Sequence, residues 1–211
     1  MRIKKLKEGY EELTEEKARL LGHLIGDGCV SQSGTNYVIK YEVKDKDLLD
    51  QFEADLVNVF GLKPTTGQNP SGKTGVLIPY VSLRSKLAFN NLKQYCEFRS
   101  DRWCIPKKIL NADDQIKLEF LRVLFDDEGT VVPQKYSFQI RLYSINLKGL
   151  KQVEKLVNMF EIPSRILSGY GNNRNVYGLI IEDNNRFHSK IGFNCIRKQD
   201  RLKECLERYK K

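Results

Sequence analysis

Two stretches about a hundred residues apart read alike. "LLGHLIGDG" (20–28) and "LRVLFDDEG" (121–129) are each an apolar, helix-like run that closes on an acid followed by glycine. Asp27 and Glu128 are 101 positions apart (128 − 27), and "LVNVFGL" at 56–62 recurs as "LVNMFEI" at 156–162, an offset of 100. Two elements at nearly one offset mark an internal duplication with a one-residue indel, so the chain is expected to fold as two like units. β-prone segments follow each glycine, "CVSQSGTNYVIKYEVK" and "TVVPQKYSFQIRLYS".

Each half reads as helix, hairpin, helix, hairpin, helix. In the first, Thr14 suits an N-cap, with Glu15 and Glu16 in the first turn. Ala18, Leu20, Leu21, Leu24 and Ile25, with Leu13, supply the apolar face. Strands are expected at 29–34 and 37–44, a helix at 46–60 stopped by Gly61, strands at 65–69 and 76–84, and a helix at 85–97. The second half predicts a helix at 114–127, strands at 130–134 and 136–144, a helix at 146–160, strands at 164–170 and 175–181, and a helix at 184–192. The halves divide at 1–107 and 108–211, across "FRSDRWCIPKKILNADD", where Pro106 forbids a continuous helix. A basic tail helix, "RKQDRLKECLERYKK", has no counterpart in the first half.

A net charge of +9 suits an anionic partner, nucleic acid first and a membrane surface second. No apolar run approaches the roughly 20 residues of a membrane span, and "MRIKKLKEGYEEL" lacks the apolar core of a signal peptide. The five cysteines (29, 96, 104, 195 and 205) form no CxxC, and there are only two histidines, His23 and His188. That pattern argues against zinc and for a reduced, intracellular setting. Both histidines read as packing or surface residues rather than ligands.

The acids are the informative residues. A helix C-terminus carries partial negative charge, so a carboxylate in its last turn costs some tenths of a kcal/mol. Gly28 and Gly129 stand where a left-handed capping glycine would, which puts Asp27 and Glu128 in last turns. A cost repeated in both halves suggests that a bound cation offsets it. Gly22 and Gly26 share a helix face and permit close approach of the matching helix, where Val123 takes the place of Gly22. If those helices cross by pseudo-two-fold symmetry, Asp27 and Glu128 become neighbours, and neither ionises freely without a divalent ion between them. Oxygen ligands favour Mg²⁺, Mn²⁺ or Ca²⁺ over zinc.

The two nine-residue motifs, their spacing and the downstream pattern resemble the LAGLIDADG homing endonucleases in their single-chain, two-motif form. His23 in an apolar slot, Ile25 in place of an inner acid, and Arg122 and Asp127 at usually small positions depart from the pattern. The resemblance implies an α+β, pseudo-two-fold αββαββα fold, with two four-stranded antiparallel sheets forming a saddle along the DNA major groove. It implies a monomeric, site-specific DNA endonuclease acting on double-stranded DNA, with Asp27 and Glu128 as catalytic metal ligands. Mg²⁺ is the expected ion, with Mn²⁺ able to substitute and Ca²⁺ binding without supporting cleavage, and the cut leaves short 3′ overhangs. A basic helper near the end of a second strand falls on Lys44. The matching position is Ile145, so Arg141 or Lys135 would compensate in the second half.

Strand alternation gives a DNA face of Lys40, Glu42 and Lys44, of Tyr80, Ser82 and Arg84, and of Gln139, Arg141 and Tyr143. Arg to guanine and Gln to adenine are the familiar major-groove pairings; an ordinary solvated sheet face is the plain alternative for any one strand. An RNA-binding intron maturase or a non-cleaving DNA-binding regulator on the same scaffold are the other functional readings, and retention of both acids favours cutting over either. An intein would begin with Cys or Ser and end in His-Asn, so "MRIKK" and "ERYKK" favour a free-standing enzyme.

Overall fold

A computed structural model describes residues 5–72, 74–172 and 174–209. The first half runs α1 (Glu15–Ile25), β1 (Gly28–Ser33), β2 (Asn36–Glu42), α2 (Lys46–Phe60), β3 (Thr65–Pro70), β4 (Leu77–Arg84) and α3 (Lys86–Lys93). A short α4 (Lys107–Leu110) leads to the second half: α5 (Asp114–Glu128), β5 (Gly129–Pro133), β6 (Phe138–Ser144), α6 (Leu147–Met159), β7 (Ser164–Tyr170), β8 (Val176–Ile181) and α7 (Asn184–Lys190). The tail forms α8 (Ile196–Arg208).

Local chemistry sets the helix starts. The Thr14 side chain accepts from the Lys17 N–H and opens α1; Asp113 accepts from the Ile116 N–H and opens α5. Gly61, at φ +67°, closes α2 in the left-handed conformation. Each half forms one antiparallel four-stranded sheet, ordered β1-β2-β4-β3 and β5-β6-β8-β7. Alternation is clear on β2 and β6, whereas β4 and β8 are buried in continuous runs, 81–83 and 178–181. Ile39 and Tyr41 of β2 and Ile140 and Leu142 of β6 are fully buried, while the residues between them are partly open.

The two halves meet along α1 and α5, which pack on each other. A Cβ added at Gly22 would lie 2.3 Å from Val123 Cγ2 and 3.0 Å from the Phe120 carbonyl oxygen, and one at Gly26 would lie 2.6 Å from Asp127 Cβ. Gly22, Gly26 and Val123 therefore lie at the seam between the halves. Arg19 adds a polar tie. Its guanidinium donates to both carboxylate oxygens of Asp55 on α2 (2.9 and 2.8 Å) and to Glu119 on α5 (2.9 Å).

Several boundaries differ from expectation. Gly28 and Gly129 are not left-handed; Gly129 is extended at φ −87°, ψ 155°, and both residues open strands. Glycine is needed there for space. A Cβ at Gly129 would meet the Phe125 carbonyl oxygen at 2.4 Å, and one at Gly28 the Leu24 Cα at 2.7 Å, because each strand departs directly over its own helix's last turn. Helix α1 ends at Ile25 with Gly26 as its cap, so Asp27 sits just past the helix rather than in its last turn, whereas Glu128 is the last helical residue of α5. Strand β2 stops at Glu42 and leaves Lys44 beyond it. Lys135 lies on the β5–β6 turn, closed by a Gln134 N–H to Ser137 carbonyl bond of 2.8 Å. Helix α3 stops at Lys93, where the chain tightens and the Tyr95 N–H bonds the Leu92 carbonyl.

The connector is anchored rather than loose. Trp103 is buried against α6, where a Cβ at Gly149 would lie 2.5 Å from its ring. Asn146 Nδ2 donates to the Trp103 carbonyl at 2.6 Å, and Gln152 accepts from the Ile105 N–H at 2.9 Å.

Candidate active site

The ends of α1 and α5 bring three carboxylates together: Asp27, Asp127 and Glu128. The Asp27 N–H points at Asp127 Oδ2 (3.5 Å). Asp27 keeps exposed surface, yet its carboxyl is raised, first by desolvation and then by the charge of Asp127. Glu128 is pushed up to about 7, by burial and then by the charges of Asp27 and Asp127. Burial and neighbouring carboxylates thus oppose ionisation of both Asp27 and Glu128, a strain that a cation preferring hard oxygen donors would relieve. The donor set fits a divalent ion such as Mg²⁺, Mn²⁺ or Ca²⁺.

Asp127 is compensated from within the protein. Its side chain is fully buried and faces His23 Nδ1 at 3.2 and 3.1 Å, and it accepts a hydrogen bond from the Tyr41 hydroxyl. Burial opposes charge on His23, but the facing Asp127 carboxylate outweighs it and raises the imidazole. His23 is thus a buried packing residue and also the ion partner of Asp127. Tyr41 packs against both His23 and Phe52, with ring centroids 4.6 and 4.9 Å apart.

The raised acids carry a pH consequence. A carboxyl raised in the fold stabilises it fully below its unfolded value, near 4.5 for Glu128, and loses that contribution as pH rises through the folded value. Asp126, likewise pushed up to about 7 by burial, adds the same sign. The metal-free protein should lose stability as pH rises from about 4.5 to 7, and Glu128→Gln should flatten the fall. Melting temperature against pH, in chelator, measures it; an identical slope in the variant would show that Glu128 is not under this strain.

The cation bearing on both acids is Lys198, which pulls the carboxyls of Asp27 and Glu128 back down. It was missed in the sequence because it comes from the unrepeated tail. Lys44, the expected helper, is exposed beyond β2, and no influence of it on either acid is resolved. A second acidic group, Asp45 and Asp47 with Cys195, already has partners: Arg197 holds Asp45 at 2.8 Å, and Asp47 accepts from the Ile196 N–H at 2.7 Å.

The sheet faces carry the other expected residues. Cross-strand register sets Lys40 opposite Ser82 and Glu42 opposite Tyr80. Lys40 pairs with Glu42 and lies 4.6 Å from the Tyr80 ring centroid, and Asn69 donates to Glu42 at 2.9 Å. Arg84 is exposed, but Ser82, expected on the same face, is only 8% accessible between Lys40 and Thr65 on the flanking strands, so it offers little to a ligand. On β6, Arg141 donates to Gln139 Oε1 (2.9 and 2.6 Å) and to the Tyr143 hydroxyl (3.1 Å), a trio already ordered on one face. Lys135 stands exposed on its turn beside Tyr136.

Comparison with known proteins agrees with this geometry. A family model described as the LAGLIDADG-like domain matches residues 14–100 and again 115–192. The chain belongs to the LAGLIDADG family, in its two-repeat, single-chain form. Among solved structures, I-DmoI in complex with DNA and Mn superposes with a TM-score of 0.62 at 17% identity, covering 85% of this chain and 97% of that one. The homing endonuclease I-WcaI bound to its DNA recognition sequence gives 0.65 at 17% identity, with 90% of each chain covered. These likenesses establish the fold: two four-stranded antiparallel sheets in a duplicated, pseudo-symmetric α+β arrangement. Among sequence relatives, the replication factor C small subunit of Methanocaldococcus jannaschii is 28% identical over 89% of this chain, and the DNA polymerase of Thermococcus hydrothermalis is 29% identical over 89%. The chain spans 12% of the length of each of those two proteins. An uncharacterized protein of M. jannaschii is 27% identical over 83% of this chain and 61% of its own length. Among the described residues, no helix is long and apolar enough to cross a membrane.

Proposed function

We propose that the protein is a site-specific double-strand DNA endonuclease whose cleavage depends on a divalent metal. The observation that carries this reading is the meeting of Asp27 and Glu128, each raised first by burial and then by neighbouring carboxylates, at the junction of two like halves. Asp27 and Glu128 would hold the ion, Mg²⁺ by preference. When bound, it supplies Lewis-acid charge to the scissile phosphate and lowers the pKa of an attacking water. The chain's own contribution is placement. Packing at Gly22 and Gly26 sets how closely the two acids approach, and Asp127, held by His23 and the Tyr41 hydroxyl, fills the space between the helices.

The two sheets serve as the reading surface, laid along the major groove of double-stranded DNA as a saddle. Arg141 and Gln139 are the strongest candidates for base contacts, since guanine and adenine present the acceptors and donors they match. Lys40, Glu42, Tyr80, Arg84, Lys135 and Tyr143 complete the surface, and Lys44, exposed just beyond β2, is assigned to a phosphate. The net charge of +9 supports this reading. So does the likeness in fold to I-DmoI in complex with DNA and Mn and to I-WcaI bound to its DNA recognition sequence.

The deciding experiment is incubation with Mg²⁺ and a randomised DNA library, followed by sequencing of the ends. Discrete double-strand ends with short 3′ overhangs are expected. Specific binding with no ends would instead fit a non-cleaving regulator, and binding to structured RNA a maturase. Affinity for the target should fall by roughly 10³-fold or more between 50 and 200 mM salt if six or more phosphates are contacted. A flat response in a binding titration would rule out an extended DNA interface.

A further inference from the structure

Helix α8 lies outside the residues that match the family model, which end at 192. It is nevertheless tied to the end of α5 from two directions. Asp126 accepts from the backbone N–H groups of Asn194 (3.2 Å) and Cys195 (2.9 Å), where α8 begins. From the first turn of α8, Lys198 Nζ reaches back and donates to the carbonyls of Asp126, Asp127 (3.3 Å) and Gly129 (2.6 Å). Carbonyls at a helix C-terminus have no partner within the helix and concentrate its negative end. Further ties fix α8 to the first half: Arg197 to Asp45 (2.8 Å), the Ile196 N–H to Asp47 (2.7 Å), and Asn194 to Gln51 (3.2 Å). Helix α8, which carries Lys198, is therefore held by both halves.

We propose that Lys198 is a positioning residue for the acid pair: a built-in cation, carried by α8, that holds the last turn of α5 and Glu128 on it against the repulsion of Asp27, Asp127 and Glu128. Three carbonyls of the α5 terminus and three carboxylates bear on this corner, and one ammonium serves both. Among the described residues, the basic residue in the last turn of α1 is His23, which is engaged with Asp127. The device is one-sided. It steadies Glu128 and leaves Asp27 to the surface, so the two acids are not equivalent in rigidity. This inference rests on the reading of Asp27 and Glu128 as the reacting pair and names a residue outside the repeated motifs that serves them.

The test is a double-mutant thermal cycle on the full chain at pH 8, in chelator and without DNA. Lys198→Met should lower the melting temperature by roughly 4–8 °C. In a Glu128→Gln background the same change should cost less than half as much, because less repulsion is left to restrain. Equal losses in both backgrounds would overturn the proposal and reduce Lys198 to a cap on carbonyls. If Lys198→Met fails to fold, Lys198→Gln followed by urea denaturation gives the same cycle. The cycle uses neither metal nor substrate, so its result is separate from that of the cleavage assay.

Discussion

Asp27→Asn and Glu128→Gln should each abolish double-strand cleavage while leaving specific DNA binding in place. Both substitutions keep shape and remove charge, so they withdraw a metal ligand without disturbing the α1–α5 seam. A loss of roughly 10³-fold or more in rate is expected, equivalent to about 4 kcal/mol of transition-state stabilisation. Binding, followed by gel shift in chelator, should hold or improve, since each change relieves repulsion in the metal-free site. The two variants need not behave alike. Glu128 ends a helix whose carbonyls are tied down by Lys198, and Asp27 lies on an exposed turn. Accumulation of nicked product in one variant and not the other would report that difference directly. Full cutting by both variants would remove these acids from the active site.

The second large effect is structural. Gly22→Leu should lower stability by about 2–3 kcal/mol, a fall of roughly 4–12 °C in melting temperature for a chain of this size. The first carbon of the new side chain would already overlap Val123 Cγ2 at 2.3 Å, with the Phe120 carbonyl oxygen at 3.0 Å behind it. The backbone oxygen cannot step aside, so the helices must part. Because the acids sit at the ends of those same helices, activity should fall with stability. Val123→Ala removes the offending methyl and should recover part of the loss. An unchanged melting temperature in Gly22→Leu would mean that Gly22 does not face α5 in solution.

The duplication, the helix starts and the sheet alternation were legible because each rests on local chemistry or short period: Thr14 as a cap, Gly61 as a stop, and Ile39 and Tyr41 alternating with Lys40. The ends of elements were less so. That Gly28 and Gly129 needed space rather than a left-handed turn follows only once a strand is known to leave over its own helix. Lys198 was invisible, since its meaning comes from where α8 returns in space. The buried trio was half legible. Offset by 101, His23 corresponds to Leu124 (124 − 23) and Tyr41 to Leu142 (142 − 41), while Asp127 corresponds to Gly26 (127 − 26). Two polar residues for leucine in one half and an acid for glycine in the other are departures that compensate one another. Aligning the halves position by position exposes them as a set; reading each half as a motif does not.

That compensation has a consequence for ancestry and engineering. A chain made by joining two copies of one half would place Asp127 against a second Asp127 in a dry seam, with Leu124 and Leu142 where His23 and Tyr41 now answer it. Two copies of the other half would set Gly26 against Gly26 and leave a gap beside two unpaired buried histidines. Each half now fits its sibling and rejects itself. A chain rebuilt from two copies of either half should therefore be less stable than the present pair.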